Sequence, residues 1–478
     1  MGIRRPPSPG RTPRGNPGEP VVPGFAPELT FALLRPRVPH ADNLPRLLHP
    51  VTSGTRTPAQ AADIIRRNRA VLLAESALRR CGNHPVVTEL LAELAPLSAE
   101  RRRRSATIDR SCALLDELAR GLGVGVWGIK GLSSRVGYPE PALREMRDVD
   151  VSVHGRDEAF ALARALRGHG FVTDTGELPW LKADRHGVPY GQYKLTGPDG
   201  FAAIDLHFGP GYSTGHCGLL PVPPPTAPGL TPLPQVDNLR PMLGNSGGDI
   251  HITVKDVNDL WVVAGAMSDD EAAAVVADAR AAALDGHLAA IAGVALSVSR
   301  VDERRREVLS AFAGGRERRA ERPVLATGLM RRTSRVRVLR TATRAYRQAG
   351  AHTDSVALRV WAVLSALAYY SVPLRPRLTP LPPVRSTPRP WRCVRLVPLS
   401  LARDLAERGE AGLRDWAGDA LPEPAASRAP GGVRFRRVGT GQVVVDGDGD
   451  RDGHRDAVFI PTVWFLLSRP MIRRAGAQ

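Results

Sequence analysis

Two aspartates stand two residues apart, Asp148 and Asp150, in the run "RDVDVSV". Read as a strand, this run turns Val149, Val151 and Val153 to one face and both carboxylates to the other. At a rise of ~3.3 Å per residue the two carboxylates lie roughly 7 Å apart, and they repel unless a cation sits between them. A second run, "FAAIDLHF" (201–208), repeats the pattern, with Ile204, Leu206 and Phe208 opposite Asp205 and His207. Two such strands side by side would converge three carboxylates, Asp148, Asp150 and Asp205, on one surface. That donor set suits Mg²⁺, which takes oxygen ligands and is typically held by a few carboxylates plus substrate phosphates. A pair of such ions ~3.5–4 Å apart can activate an attacking oxygen and stabilise a leaving one. The expected ligands of this surface are therefore two Mg²⁺ ions and, through them, a nucleoside triphosphate. Taken alone, Asp-x-Asp reads equally well as a solvated edge. Asp205 in register, and a Lys-Gly step upstream, favour a site.

Neighbouring residues fit a phosphate ligand. Gly131 would let the backbone approach closely. Lys130 supplies a point charge and Arg144 a planar fork, and Lys255 is a further candidate. His207 reads as a hydrogen-bonding residue behind the ligands, Asp256 and Asp259 as helix-packing and salt-bridging residues. The chain has only four lysines, at 130, 182, 194 and 255, and all lie in this part of it.

The elements that must position these groups can be read from patterning. Thr57, Pro58 and Gln60 form a capping-box start with Pro at the first helical position, predicting a helix from 57 to Gly82. Another helix is expected over 98–121. A short strand, "VGVWGIK", then leads into Gly131 and a Pro/Gly-rich loop before the aspartate strand at 147–153. A helix is expected over 157–170, and strands over 170–174, 190–196 and 201–208. The Pro/Gly-rich stretch 209–248 reads as a loop or lid. Helices resume at "ITVKDVNDLWVVAGAM" and continue to about 313. Beyond that come an Arg-rich segment at 331–350, a Pro/Arg linker at 373–390 and an alternating hairpin pattern at 432–468.

Composition bounds the rest. The 478-residue chain carries a formal charge of +18, which raises nucleic acid as a partner. Its cations are nearly all Arg, in a chain rich in Ala, Gly and Pro, so much of that charge is compositional and nucleic acid is not the favoured partner. Four scattered cysteines without a CxxC pair argue against a disulfide framework or zinc ribbon and point to a reducing cytoplasm. The N-terminal 27 residues are basic and Pro/Gly-rich without an apolar core. They read as a disordered tail rather than a signal peptide. The most apolar stretch, 360–372, is too short to span a membrane.

The block "GIKG…YPEPALREMRDVDVSV", followed by "AIDLH", resembles the uncharacterised bacterial nucleotidyltransferase family of the polymerase-β-like superfamily. The shared pattern is Lys130–Gly131, then Tyr138–Pro139 with Pro141 and Arg144, then Asp148 and Asp150, then Asp205 with His207. The resemblance reaches loosely to Lys255, Asp256 and Asp259. It implies an α+β fold: a small mixed sheet with helices on one face, after an N-terminal helical segment and before a mainly helical C-terminal extension. It also implies transfer of a nucleoside monophosphate from an NTP, ATP most simply, with Asp148, Asp150 and Asp205 as catalytic metal ligands. Asp205 would further orient or activate the acceptor, in a natural-product or polysaccharide pathway. Two alternatives stay open: a degenerate fold that only binds, and an RNA-directed transferase gripping phosphates through 331–350. The chain differs from the better-known superfamily form, which has Gly-Ser before the aspartates, where Leu132 follows Gly131 here. The expected organisation is tail 1–27, helical segment 28–122, core and following helices 123–313, and a C-terminal region 314–478.

Three motif matches carry no chemistry. "GVGVWG" (123–128) opens a strand, the reverse of a dinucleotide site. "GNSGG" (244–248) lacks the strand that delivers a nucleophile elbow. The D-x-D-x-D-G run from Asp448 has Phe459 where a calcium loop needs Glu.

Overall fold

A computed structural model of the chain describes residues 25–314, apart from 38, 174–179, 184–188, 213–219, 250 and 283, together with short pieces beyond 314. Residues 1–24 of the expected tail and linker 373–390 lie outside the described residues, as do most of 331–350 and 360–372, while Ala26 is buried and Pro27 opens a 3₁₀ turn to Ala32.

Four helices open the chain: α1 (His40–Thr52), α2 (Pro58–Arg67), α3 (Val71–Arg79) and α4 (Pro85–Gly121). The capping box is present. Thr57 Oγ1 accepts from Gln60 N at 3.2 Å and Thr57 N donates to Gln60 Oε1 at 2.9 Å. The single helix expected from 57 to 82 is instead broken in two. Asn68 donates back to Ile64 O at 2.9 Å, accepts from Val254 N at 3.1 Å, and Arg69 takes a left-handed φ of 54°. The next helix starts earlier than 98, at Pro85 behind a His84 cap, because Val87, Leu90 and Leu94 are buried.

The sheet follows. Its strands are β1 (Gly125–Gly128), β2 (Val149–Val153), β3 (Val172–Thr173), β4 (Trp180–Ala183), β5 (Pro189–Thr196), β6 (Ile204–Phe208) and, later, β9 (Gly229–Pro232), with order β3-β5-β6-β2-β1-β9 and β4 alongside β5. It is mixed. β2 runs parallel to β6 and β1 parallel to β9, while β1–β2 and β5–β6 are antiparallel. Between β1 and β2 lies the four-residue α5 (Gly131–Ser134), and α6 (Arg156–Gly168) follows β2. Val149, Val151 and Val153 are fully buried with Ile204, Leu206 and Phe208, in a core closed by Ile108, Leu115 and Ala119 of α4 and by Leu162 and Leu166 of α6. Helices therefore cover one face, as the patterning predicts, and leave the other for the polar residues.

The stretch 209–248 is not a loop. It forms a two-stranded pair, β7 (Gly211–Tyr212) and β8 (Leu220–Pro221), then β9, then α7 (Gln235–Asp249). Pro241 and the "GNSGG" run lie inside α7, which is held by the burial of Leu239, Met242 and Leu243 rather than by propensity. Ser246 is accordingly a buried helical residue bonded to Met242 O and His287 Nε2, not a nucleophile.

After the short β10 (His251–Ile252) come α8 (Val254–Ala264), α9 (Asp269–Ala281), α10 (Asp285–Val298) and α11 (Glu303–Ala313). Their apolar faces share a single core with residues of α1–α3 and the first half of α4. The N-terminal helical segment thus has no core of its own, and α4 belongs to both cores. Beyond 314, β11 (Val324–Leu325) pairs with β10. The expected C-terminal hairpin is present as β13 (Arg434–Val438) and β14 (Gln442–Asp446), beside β15 (Ala457–Ile460) and β12 (Val394–Leu396). Among the described residues no helix is long and apolar enough to cross a membrane.

Candidate active site

The parallel pairing of β2 and β6 sets the site. Asp150 lies directly opposite Asp205, and Ser152 opposite His207. One atom each of Asp150, Asp205 and His207 falls within 4.8 Å of the others. The register of the two aspartates agrees with the sequence reading. The membership of the group differs: His207 joins the carboxylates, while Asp148, one residue before β2, stands outside it. Asp148 remains close enough for its charge to raise the carboxyls of both Asp150 and Asp205.

The cation between the aspartates is Lys130. Its Nζ donates to Asp150 Oδ1 at 2.6 Å, lies 3.5 Å from His207 Nε2 and stands over the Tyr212 ring at 4.8 Å. Burial disfavours its charge, but Asp150, Tyr212 and Asp205 outweigh burial and hold its ammonium well above the ordinary range. Lys130 reaches this position through a strained backbone, φ 53° and ψ −122°. Asn238 of α7 holds that conformation, accepting from Lys130 N at 2.6 Å and donating to Lys130 O at 3.0 Å. Nothing in the sequence singles out Asn238, which sits in a stretch with no helical period. Replacing Asn238 with Ala should cost about 1–3 kcal/mol in chemical denaturation, because it strands two buried backbone groups. It should also let the Lys130 ammonium leave Asp150. An unchanged stability would show that the clamp is dispensable.

Burial pushes the Asp205 carboxyl up, with Asp150 and Asp148 adding to it against Lys130 and Gln192, to about 7. Asp150 is likewise raised, first by burial and then by Asp148, with Lys130 and Lys255 opposing. Gln192 of β5 donates to Asp205 Oδ1. Burial, followed by the Lys130 charge, keeps His207 neutral well below its usual range. A neutral imidazole is the ligating form, and the His207 Nδ1 is buried without a hydrogen-bond partner. Two carboxylates and a neutral imidazole, the latter with an unpartnered Nδ1, on a buried face fit a divalent cation.

The other predicted residues are placed differently. Arg144 is buried and its fork is committed to Asp259, Nε at 2.8 Å from Oδ1 and Nη2 at 2.7 Å from Oδ2, with Nη1 on Glu145 O. Tyr138 Oη donates to the same carboxylate at 2.8 Å. The Tyr-Pro-x-Pro-x-x-Arg run is therefore a clamp onto α8, and Arg144 is not offered to phosphate. Asp259 serves the salt-bridging role expected of it. A Cβ on Gly131 would come within 2.8 Å of the Met146 side chain and 3.3 Å of Arg144 Nη1, so Gly131 lets both side chains pack close to the backbone. Lys255, in the first turn of α8, contacts Asp256 Oδ1 at 3.0 Å and its charge reaches Asp150. Asp256 opposes its own burial with Lys255 and Thr253 and stays well below the carboxylate range.

A mixed sheet that gathers two carboxylates, an imidazole and a lysine on one face defines a class of site able to hold a cation and an anion together. Residues 55–218, about a third of the chain, match the family described as uncharacterised nucleotidyltransferase, the one its motifs resemble. No curated protein and no solved structure matches the chain.

Proposed function

We propose that this protein is a Mg²⁺-dependent nucleotidyltransferase that moves a nucleoside monophosphate, most simply AMP from ATP, to a hydroxyl or phosphate acceptor. The observation that carries this reading is Asp150 opposite Asp205 on adjacent parallel strands, with His207 and Lys130 on the same face. Asp150, Asp205 and His207 would hold the cation, with Asp148 beside them. When bound, Mg²⁺ would polarise the α-phosphate and counter charge on the departing pyrophosphate.

The remaining work falls to the chain. Asp205, opposite Asp150 on the neighbouring strand, is placed to take the proton of an acceptor hydroxyl as a general base. The acceptor oxygen then bonds to the α-phosphorus as the bond to pyrophosphate breaks. Lys130, shifted from Asp150 onto the phosphates, and Lys255 neutralise the leaving group as point charges.

One contact favours a second reading. The Lys130–Asp150 pair at 2.6 Å already neutralises one aspartate, as a sheet that only binds its partner would need.

Incubation with α-labelled NTPs and an acceptor-containing extract separates the two. A transferase releases one pyrophosphate for each label transferred, and only with Mg²⁺. A chain that binds nucleotide but releases no pyrophosphate is the binding-only protein.

A further inference from the structure

A second charged cluster lies beside Asp148, outside the metal-capable group. Arg101 and Arg104 stand one turn apart on α4, Arg147 immediately precedes Asp148, and Arg69 occupies the link between α2 and α3. Glu145 draws these elements together. Its Oε1 accepts from Leu72 N, at the start of α3, at 2.9 Å, and its Oε2 lies 3.2 Å from Arg101 Nε. Glu100 accounts for the rest of the compensation, at 3.0 Å from Arg101 and 2.7 Å from Arg104.

Two carboxylates thus serve two of four guanidiniums. Among the described residues, the side chains of Arg69 and Arg147 make no hydrogen bond or ion pair. Like charges gathered in this way repel. Arg147 records the repulsion, its guanidinium being lowered first by Arg69, then by burial, Arg101 and Arg104. Arg69 is also held in left-handed backbone, and the only other described non-glycine residue so held is Lys130.

Resting on the nucleotidyltransferase reading, we propose that Arg69, Arg101, Arg104 and Arg147 form an anion subsite at the rim of the active site, which takes a phosphate group of the acceptor. Forked guanidiniums match the several acceptor oxygens of a phosphate. The cluster belongs to the acceptor rather than the donor because the side chain that meets Asp150 is Lys130, at 2.6 Å, and none of these arginines, of which Arg147 adjoins the outlying Asp148 in the chain.

The test uses the full chain and inorganic phosphate as the probe, titrated calorimetrically without nucleotide. The variant is Arg69→Asn with Arg147→Gln, since Asn tolerates left-handed backbone. The wild type should bind phosphate saturably, and the variant at least tenfold more weakly. The variant's melting temperature should not fall, because like-charge repulsion is relieved, and its affinity for Mg²⁺·ATP should hold within about twofold. Asp150→Asn with Asp205→Asn should show the converse, keeping phosphate and losing Mg²⁺·ATP. If that variant keeps Mg²⁺·ATP, the transferase reading fails and the acceptor assignment falls with it, even where phosphate binding stands. Absent phosphate binding in the wild type, or binding unchanged in the arginine variant, overturns the subsite. Joint loss of phosphate and Mg²⁺·ATP in the arginine variant would move these residues to the donor. Tight, salt-sensitive binding of a single-stranded RNA, lost in the same variant, would reassign the cluster to a nucleic-acid backbone and overturn the proposal.

Discussion

Replacing Asp259 with Ala should remove about 3–5 kcal/mol of stability, the cost of leaving a buried charge without its partner. Asp259 is 1 % exposed and accepts from both Arg144 and Tyr138. Truncation strands a guanidinium and a phenol together, away from water. The converse experiment isolates the pair. Changing Arg144 to Met and Asp259 to Leu together should recover most of the loss, because replacing a whole buried ion pair with apolar groups is often neutral. Urea denaturation of the three variants gives the coupling directly. A loss below about 1 kcal/mol in Asp259→Ala would mean that solvent reaches Arg144, and the clamp would not be what fixes the 138–144 loop. The same bond has a structural corollary. Asp259 lies beyond residue 218, where the family match ends, so a fragment cut at 218 should fail to fold.

Changing Asp205 to Asn should have the largest effect on chemistry, lowering transfer by about 10²–10⁴-fold, the range for losing a positioned general base. It should also change how stability varies with pH. The Asp205 carboxyl is raised to about 7 in the folded chain, against roughly 3.9 when unfolded. The folded state therefore binds more protons between those values, and stability falls as pH rises through that window. The stabilising contribution is fully present below about pH 4 and gone above about 7. In the Asn variant this slope should become shallower, Asp150 being the raised carboxyl that remains, and the metal-free protein should be as stable as the wild type or more so at pH 8. Metal binding has the opposite dependence in the wild type. The cation must displace the proton, so its affinity should fall about tenfold per pH unit below 7. Melting curves from pH 4 to 8, without metal, check the first part. An unaltered slope in Asp205→Asn would assign the titration to another group.

The parts of this molecule that could be read from sequence are those governed by local periodicity. Alternation in "DVDVSV" and "AIDLHF" put the valines, Leu206 and Phe208 into the core and the acids on the opposite face, which the structure bears out, although that face is itself buried at Asp205 and His207. Thr57 and Gln60 marked a helix start for the same local reason. What was missed depends on distant partners. α7 contains Pro241 and three glycines, and it is helical only because Leu239, Met242 and Leu243 find a core made by other helices. Arg144 looks like a phosphate ligand until Asp259, 115 residues away, is seen to take its fork. The left-handed turn at Lys130 has no glycine to announce it and is held by Asn238, 108 residues away. His207 meets Asp150 and Asp205 because the β2–β6 register sets Asp150 opposite Asp205 and Ser152 opposite His207, a pairing that the Asp-x-Asp spacing alone does not give.

On the reading proposed above, the face of the sheet that carries Asp150 and Asp205 holds a divalent cation and, through it, a nucleoside triphosphate. Calorimetric titration of each of the four NTPs, with and without Mg²⁺, into the wild type and Asp150→Asn with Asp205→Asn tests it most directly. The expected result is saturable binding of at least one NTP that requires Mg²⁺ and vanishes in the variant, while the variant stays folded. Nucleotide binding of equal strength with and without Mg²⁺, or binding that survives in the variant, would contradict it.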